Sequence, residues 1–239
     1  VKLGLHLRVV GLVAVAIPLS GVASAEPVYL PLSVGDTWTY EEDWGMGETM
    51  TVTGLLDLLG NTVHVIQYSE STNNDSLENY WTREGDGDVL LWGFLRHDEG
   101  ASGYAYLPPI RLIDAPVFVG KTWRCTSAVY ELPSESPLAE PLVIDIEVTW
   151  EGDLEVPAGT FSSISVSDFP PSSSPERGHR LTLDGRSRST RPPAVGGEYW
   201  YSDGVGQVQY DSGGLYKLIS FGITPVEAAT WGRIKVLYR

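Results

Sequence analysis

The chain has 239 residues, a formal net charge of −15 and 42% hydrophobic content. These are the figures of an ordinary globular protein and not of a disordered, collagen-like or multi-span membrane chain. A surface so negative repels phosphate backbones and anionic lipid, which sets nucleic-acid binding aside. Cys125 is the only cysteine, so no intrachain disulfide can form and the core and sheet hydrogen bonds must hold the fold.

In chain order, residues 1–25 have the three-part plan of a cleavable signal peptide. Lys2, His6 and Arg8 precede an apolar run from Val9 to Ile17, Pro18 breaks any helix, and Ala23-Ser24-Ala25 offers small residues at the cleavage site. The run is too short for a comfortable membrane span. Losing Lys2 and Arg8, with no acid, takes the charge from −15 to −17. Glu26, not Cys, follows the expected cut, so no lipid anchor is expected. The expected location is periplasmic or extracellular, with no membrane span after cleavage.

Residues 26–222 read as one β domain. Short runs rich in Val, Ile, Thr, Tyr and Trp are interrupted about every ten residues by Gly, Pro, Asn and Asp, the spacing of antiparallel strands and turns. Thr49 to Leu59 and Thr62 to Ser69 flank Gly60-Asn61, which predicts a two-residue hairpin. The run Thr122 to Val129 is a strand that carries Cys125, expected as an inert buried thiol and not a nucleophile. Leu142 to Glu151 alternates, with Ile144, Ile146, Val148 and Trp150 predicted on a buried side. Pro157-Ala158-Gly159 predicts a chain reversal before Phe161.

Two motifs recur in the same order. Leu32-Ser33-Val34-Gly35-Asp36-Thr37-Trp38 returns as Val117-Phe118-Val119-Gly120-Lys121-Thr122-Trp123. Asn79-Tyr80-Trp81, followed by Gly85 to Val89, returns as Glu198-Tyr199-Trp200, followed by Asp203 to Val208. Residues 30–112 and 113–222 are therefore expected to be diverged copies of one β-unit, with a turn-plus-strand coincidence as the alternative. Within the second copy, 168–196 differs in composition, rich in Pro and Ser with Arg177, Arg180, Arg186, Arg188 and Arg191, and is expected as a mobile loop inserted between two strands. The tail 223–239 supports either a short helix from Thr224-Pro225 or an edge strand through Ile234, Val236 and Tyr238.

Tyr29-Leu30-Pro31-Leu32 with Gly35 and Thr37-Trp38-Thr39-Tyr40, then Val156-Pro157-Ala158-Gly159-Thr160-Phe161, then Tyr199-Trp200-Tyr201 with Gly204-Val205-Gly206, resemble the TapB-like exported bacterial proteins. The resemblance implies an envelope or extracellular location and a β-rich fold akin to the half-barrels of lipoprotein carriers. It implies no reaction and no site. The Arg-rich stretch before Glu198 and the Trp231 to Lys235 tail depart from the family pattern.

No residue set rises to a catalytic, cofactor or metal site. His64, His97 and His179 lack metal-ligand spacing, and no Gly-x-Ser-x-Gly elbow is present. Glu84, Asp86 and Asp88 could offer oxygens to calcium but lack the later bidentate Glu, so a polar turn is the better reading. Among 31 acids, no carboxylate pair stands out for glycoside hydrolysis. Trp38, Trp81, Trp123, Trp150 and Trp200 are read as core and turn-packing residues. The expected fold is a mostly β single antiparallel sheet curled into an open or half-barrel. The expected function is non-catalytic binding of a lipid-like apolar ligand or an envelope protein. A carbohydrate-binding module using exposed tryptophans is the alternative, and a carboxylate hydrolase comes third.

Overall fold

The computed structural model describes residues 27–42, 45, 47–70, 76–84, 87–97, 101–169, 197–211 and 214–223. The expected signal peptide at 1–25, all of the Arg-rich stretch beyond Phe169, His179, Asp86 and the tail from 224 onward lie outside them. Thirteen strands follow one another: β1 (Thr37–Glu42), β2 (Gly47–Leu58), β3 (Asn61–Glu70), β4 (Ser76–Arg83), β5 (Val89–Arg96), β6 (Ser102–Ile113), β7 (Thr122–Leu132), β8 (Ser136–Pro137), β9 (Leu142–Val156), β10 (Gly159–Phe169), β11 (Glu198–Ser202), β12 (Gly206–Asp211) and β13 (Leu215–Gly222). Every pairing is antiparallel, each long strand bonds to its sequence neighbours, and β13 bonds back to β1 from Thr37↔Gly222 to Glu42↔Tyr216. The two-residue β8 is a flap on β7.

The result is a closed, twelve-stranded up-and-down barrel, which corrects the expected open half-barrel. An open sheet would leave the backbone N–H and C=O groups of β1 and β13 facing outward as a row of unmade bonds, whereas closure removes both edges. Twelve strands in a round barrel enclose more space than side chains fill. Here the interior is packed with Trp38, Tyr40, Val52, Ile66, Tyr106, Ile110, Ile144, Val166, Tyr201 and Leu218, all at most 2% exposed.

The segment from Pro27 to Asp36 crosses one end. Val28 donates its N–H to Asp203 Oδ1 at 2.6 Å and accepts from Gly204 N–H at 2.9 Å, while Leu30 and Leu32 enter the core. Burial of two leucines stabilises this cap by about 4 kcal/mol before ordering costs.

Hydrogen bonds at the entry turns of the two halves match. Gly35 N–H donates to Val52 O and Val52 N–H to Asp36 O; Gly120 N–H donates to Val148 O and Val148 N–H to Lys121 O. Asp36 N–H bonds Ser33 O as Lys121 N–H bonds Phe118 O, and Gly35 and Gly120 both hold positive φ, 98° and 85°. The residue after each valine, Thr53 or Thr149, is a bulge. A third match follows at Trp92 and Val208, each bulged out of its register. Counting from these points aligns Asn79-Tyr80-Trp81 with Tyr199-Trp200-Tyr201, one residue later than the motif comparison put it. The shift has a physical reason, because inward residues must stay inward and Trp81 matches Tyr201 by face, not by letter.

Three further expectations are corrected. The first hairpin turns at Leu59-Gly60, with φ of 50° and 78°, instead of Gly60-Asn61. Gly60 takes the second left-handed position of the turn, and Asp57 Oδ1 and the Asn61 amide close it at 3.0 and 3.1 Å. Trp150 does not join Ile144, Ile146 and Val148 inside, because the Thr149 bulge switches it to the outer face. Finally, Asp168 and Phe169 belong to β10 and not to the inserted loop; Gly197 N–H donates to Asp168 Oδ1 at 2.5 Å and seals the strand end.

Candidate functional site

The interior holds a cavity of about 30 Å³ lined by Met50, Tyr68, Asn79, Trp81, Tyr199, Tyr201 and Gln207 among others. Matched residues of the two halves line it together, Asn79 with Tyr199 and Trp81 with Tyr201. Tyr68 OH accepts from Asn79 Nδ2 at 3.0 Å, and Tyr40 OH donates to Gln207 O at 2.7 Å. Burial pushes the Tyr40 and Tyr201 hydroxyls far above the ordinary tyrosine value, reinforced by Tyr68 beside both, so they remain neutral donors. Asn79 Oδ1 and Trp81 Nε1 have no hydrogen-bond partner among the described residues. A volume of this size accommodates a water or two and is about a tenth of the smallest ligand clefts.

At the barrel end an ionic cluster fixes the β6–β7 connection. Arg111 Nε meets the buried Asp88 Oδ2 at 3.0 Å, Asp114 bridges Arg111 at 2.9 Å and Lys121 at 2.7 Å, and Ala115 N–H donates to Asp88 Oδ1 at 2.7 Å. Burial would raise the Asp114 pKa, but its bonds to Lys121 and Arg111 outweigh that and hold it below the ordinary value. The Asp88 oxygens are thus committed to the fold, and Glu84 stands 3.9 Å from the same Arg111. Among the described residues no group of three His, Cys, Asp or Glu is placed to hold a metal.

The other sequence candidates lie apart. Cys125 is buried, its thiol bonded to Arg111 O at 3.6 Å and pushed up by burial, the state of an inert thiol. His64 is lowered by burial, and His97 Nε2 lies 3.3 Å from Glu78. Trp38 and Trp81 are core residues. Trp38 donates to Val205 O at 2.6 Å, Trp123 to Arg111 O at 2.7 Å and Trp92 to Thr82 Oγ1 at 2.9 Å.

Trp150 and Trp200 differ from these. Ser165 pairs with Trp150 on one side and Trp200 on the other, so all three share a face. Tyr199 and Tyr201 line the cavity, which puts Trp200 between them on the outside. Ser165 Oγ donates to Glu198 Oε1 at 2.6 Å and contacts Thr149 Oγ1 at 2.8 Å. Sequence reasoning missed this pair because the Thr149 bulge that turns Trp150 outward leaves no mark in the alternation.

No family model matches the chain, and no curated protein does. A solved structure, a candidate lipoprotein of Parabacteroides distasonis, aligns with 13% identity over 82% of this chain and 99% of its own, at a TM-score of 0.34.

Proposed function

We propose that the protein is an exported, non-catalytic binding protein that engages its partner with its outer surface. The observation that carries this reading is the filled interior: among the described residues, the cavity between Met50, Tyr68, Asn79, Trp81 and Tyr201 measures about 30 Å³, too small for an acyl chain. The half-barrel carrier reading, with a concave apolar face for lipid, loses its geometry once β1 and β13 close the sheet. Two buried carboxylates serve the fold, Asp88 with Arg111 and Glu48 with Tyr210 OH at 3.0 Å. Export and an envelope or extracellular location rest on the signal-like residues 1–25 and on the TapB-like motifs.

The test is cosedimentation of the purified protein with isolated bacterial envelopes. Binding should be lost when Trp150 and Trp200 are replaced and kept in the interior variant Tyr106→Phe. Absence of cosedimentation, or its loss in the interior variant alone, would overturn the reading.

A further inference from the structure

We infer that the outer face of the second half is a stacking platform for a neutral sugar chain, with Trp150 and Trp200 as its two ring contacts. This rests on the outer-surface reading above and supplies its ligand.

The two indoles stand in one cross-strand row, Trp150↔Ser165↔Trp200↔Gln209↔Lys217. Two strand spacings separate them, about 9.5 Å. Ser165 between them is 0% exposed, so the side chains around it form a continuous roof. Trp150 and Trp200 are each partly exposed; Trp200 packs in part against the core, which holds its ring in place.

The first half shows that the scaffold does not need two indoles there. Its matched row is Gly54, Val65, Tyr80, Gly93 and Ala105. Val65, Tyr80 and Ala105 are buried at 9%, 1% and 0% in an outer apolar cluster with Leu58 and Val63. In the second half the same positions carry aromatic and hydrogen-bonding groups instead of a covered apolar patch.

Local geometry prepares Trp150 for stacking. Its indole lies against the bare Cα of Gly152, where a Cβ would meet Cζ2 at 2.8 Å; only glycine lets the ring come down along the strand. Beside the rings, Glu198 is held by Ser165 at 2.6 Å and by Thr149 at 3.2 Å, a fixed acceptor for hydroxyl groups. Past the buried Gln209, Lys217 continues the row.

Pyranose rings present apolar C–H faces to an indole and hydroxyls to such a fringe. An extended chain crossing the strands can set one ring on each indole. Charge selects the class. Glu147 pairs with Ser167 next to Glu198, and the whole chain is at −15, so uronic-acid or sulfated chains are repelled.

Calorimetry and tryptophan emission with cellohexaose and chitohexaose test the inference, with a hyaluronan hexasaccharide as the anionic control. Saturable binding of a neutral hexasaccharide is expected, without binding of the anionic one. Trp150→Ala and Trp200→Leu should each weaken it about tenfold. Gly152→Val keeps both indoles but lifts Trp150, and should weaken it likewise. Trp123→Phe should leave it unchanged. No binding of either neutral hexasaccharide at millimolar concentration, or binding indifferent to these substitutions in folded protein, overturns the inference. Envelope cosedimentation that depends on the same row while both sugars fail would assign the platform to a protein partner, keeping the outer-surface reading and removing the sugar.

Discussion

Single side chains show where the barrel is optimised and where it is not. Tyr106 is fully buried and its hydroxyl bonds to nothing among the described residues. Removing an orphaned polar atom while keeping the ring costs little volume, so Tyr106→Phe should be neutral or stabilise by up to about 1 kcal/mol, read from denaturant midpoints. Asp114 behaves oppositely. Its folded pKa is depressed by Lys121 and Arg111, so its contribution is present above the unfolded value and is lost as pH falls through the folded one. Melting temperature should therefore drop below about pH 4. Asp114→Asn should remove about 1 kcal/mol at neutral pH, discounted for partial exposure, and flatten part of that acid slope.

At the scale of elements, the matched turns and bulges ask for one explanation. We propose that residues 30–112 and 113–222 are diverged copies of a six-stranded unit. Gly35 and Gly120 hold the same left-handed turn position, and space around Gly120 is open, so alanine there pays only backbone strain. Gly35→Ala and Gly120→Ala should each cost about 1 kcal/mol, in equal measure, when measured by chemical denaturation. Widely different costs would speak for coincidence.

Much of this layer was legible in sequence. The recurrence around Gly35 and Gly120 falls on turns with the same hydrogen bonds and positive φ, because a turn glycine and the strand behind it are local features. The alternation of Leu142 to Val148 held for the same reason. The bulges at Thr53, Thr149, Trp92 and Val208 could not be read, since a bulge is decided by a partner strand far away in sequence. That is why the alternation puts Trp150 on the wrong face and why the Tyr-Trp motifs align one residue out.

For the whole molecule, closure was the feature hidden from sequence. Nothing local in Thr37–Glu42 or Leu215–Gly222 says that the first strand bonds the last, and the same alternating strands would serve an open sheet. Closure carries the functional proposal, in which a closed and filled barrel works from its outside. Native mass spectrometry of the protein, purified from a bacterial periplasm without detergent, tests that claim most directly. The account predicts the mass of the chain with no retained lipid. A stoichiometric bound species in the lipid mass range would contradict it, since such a ligand requires an interior that these side chains fill.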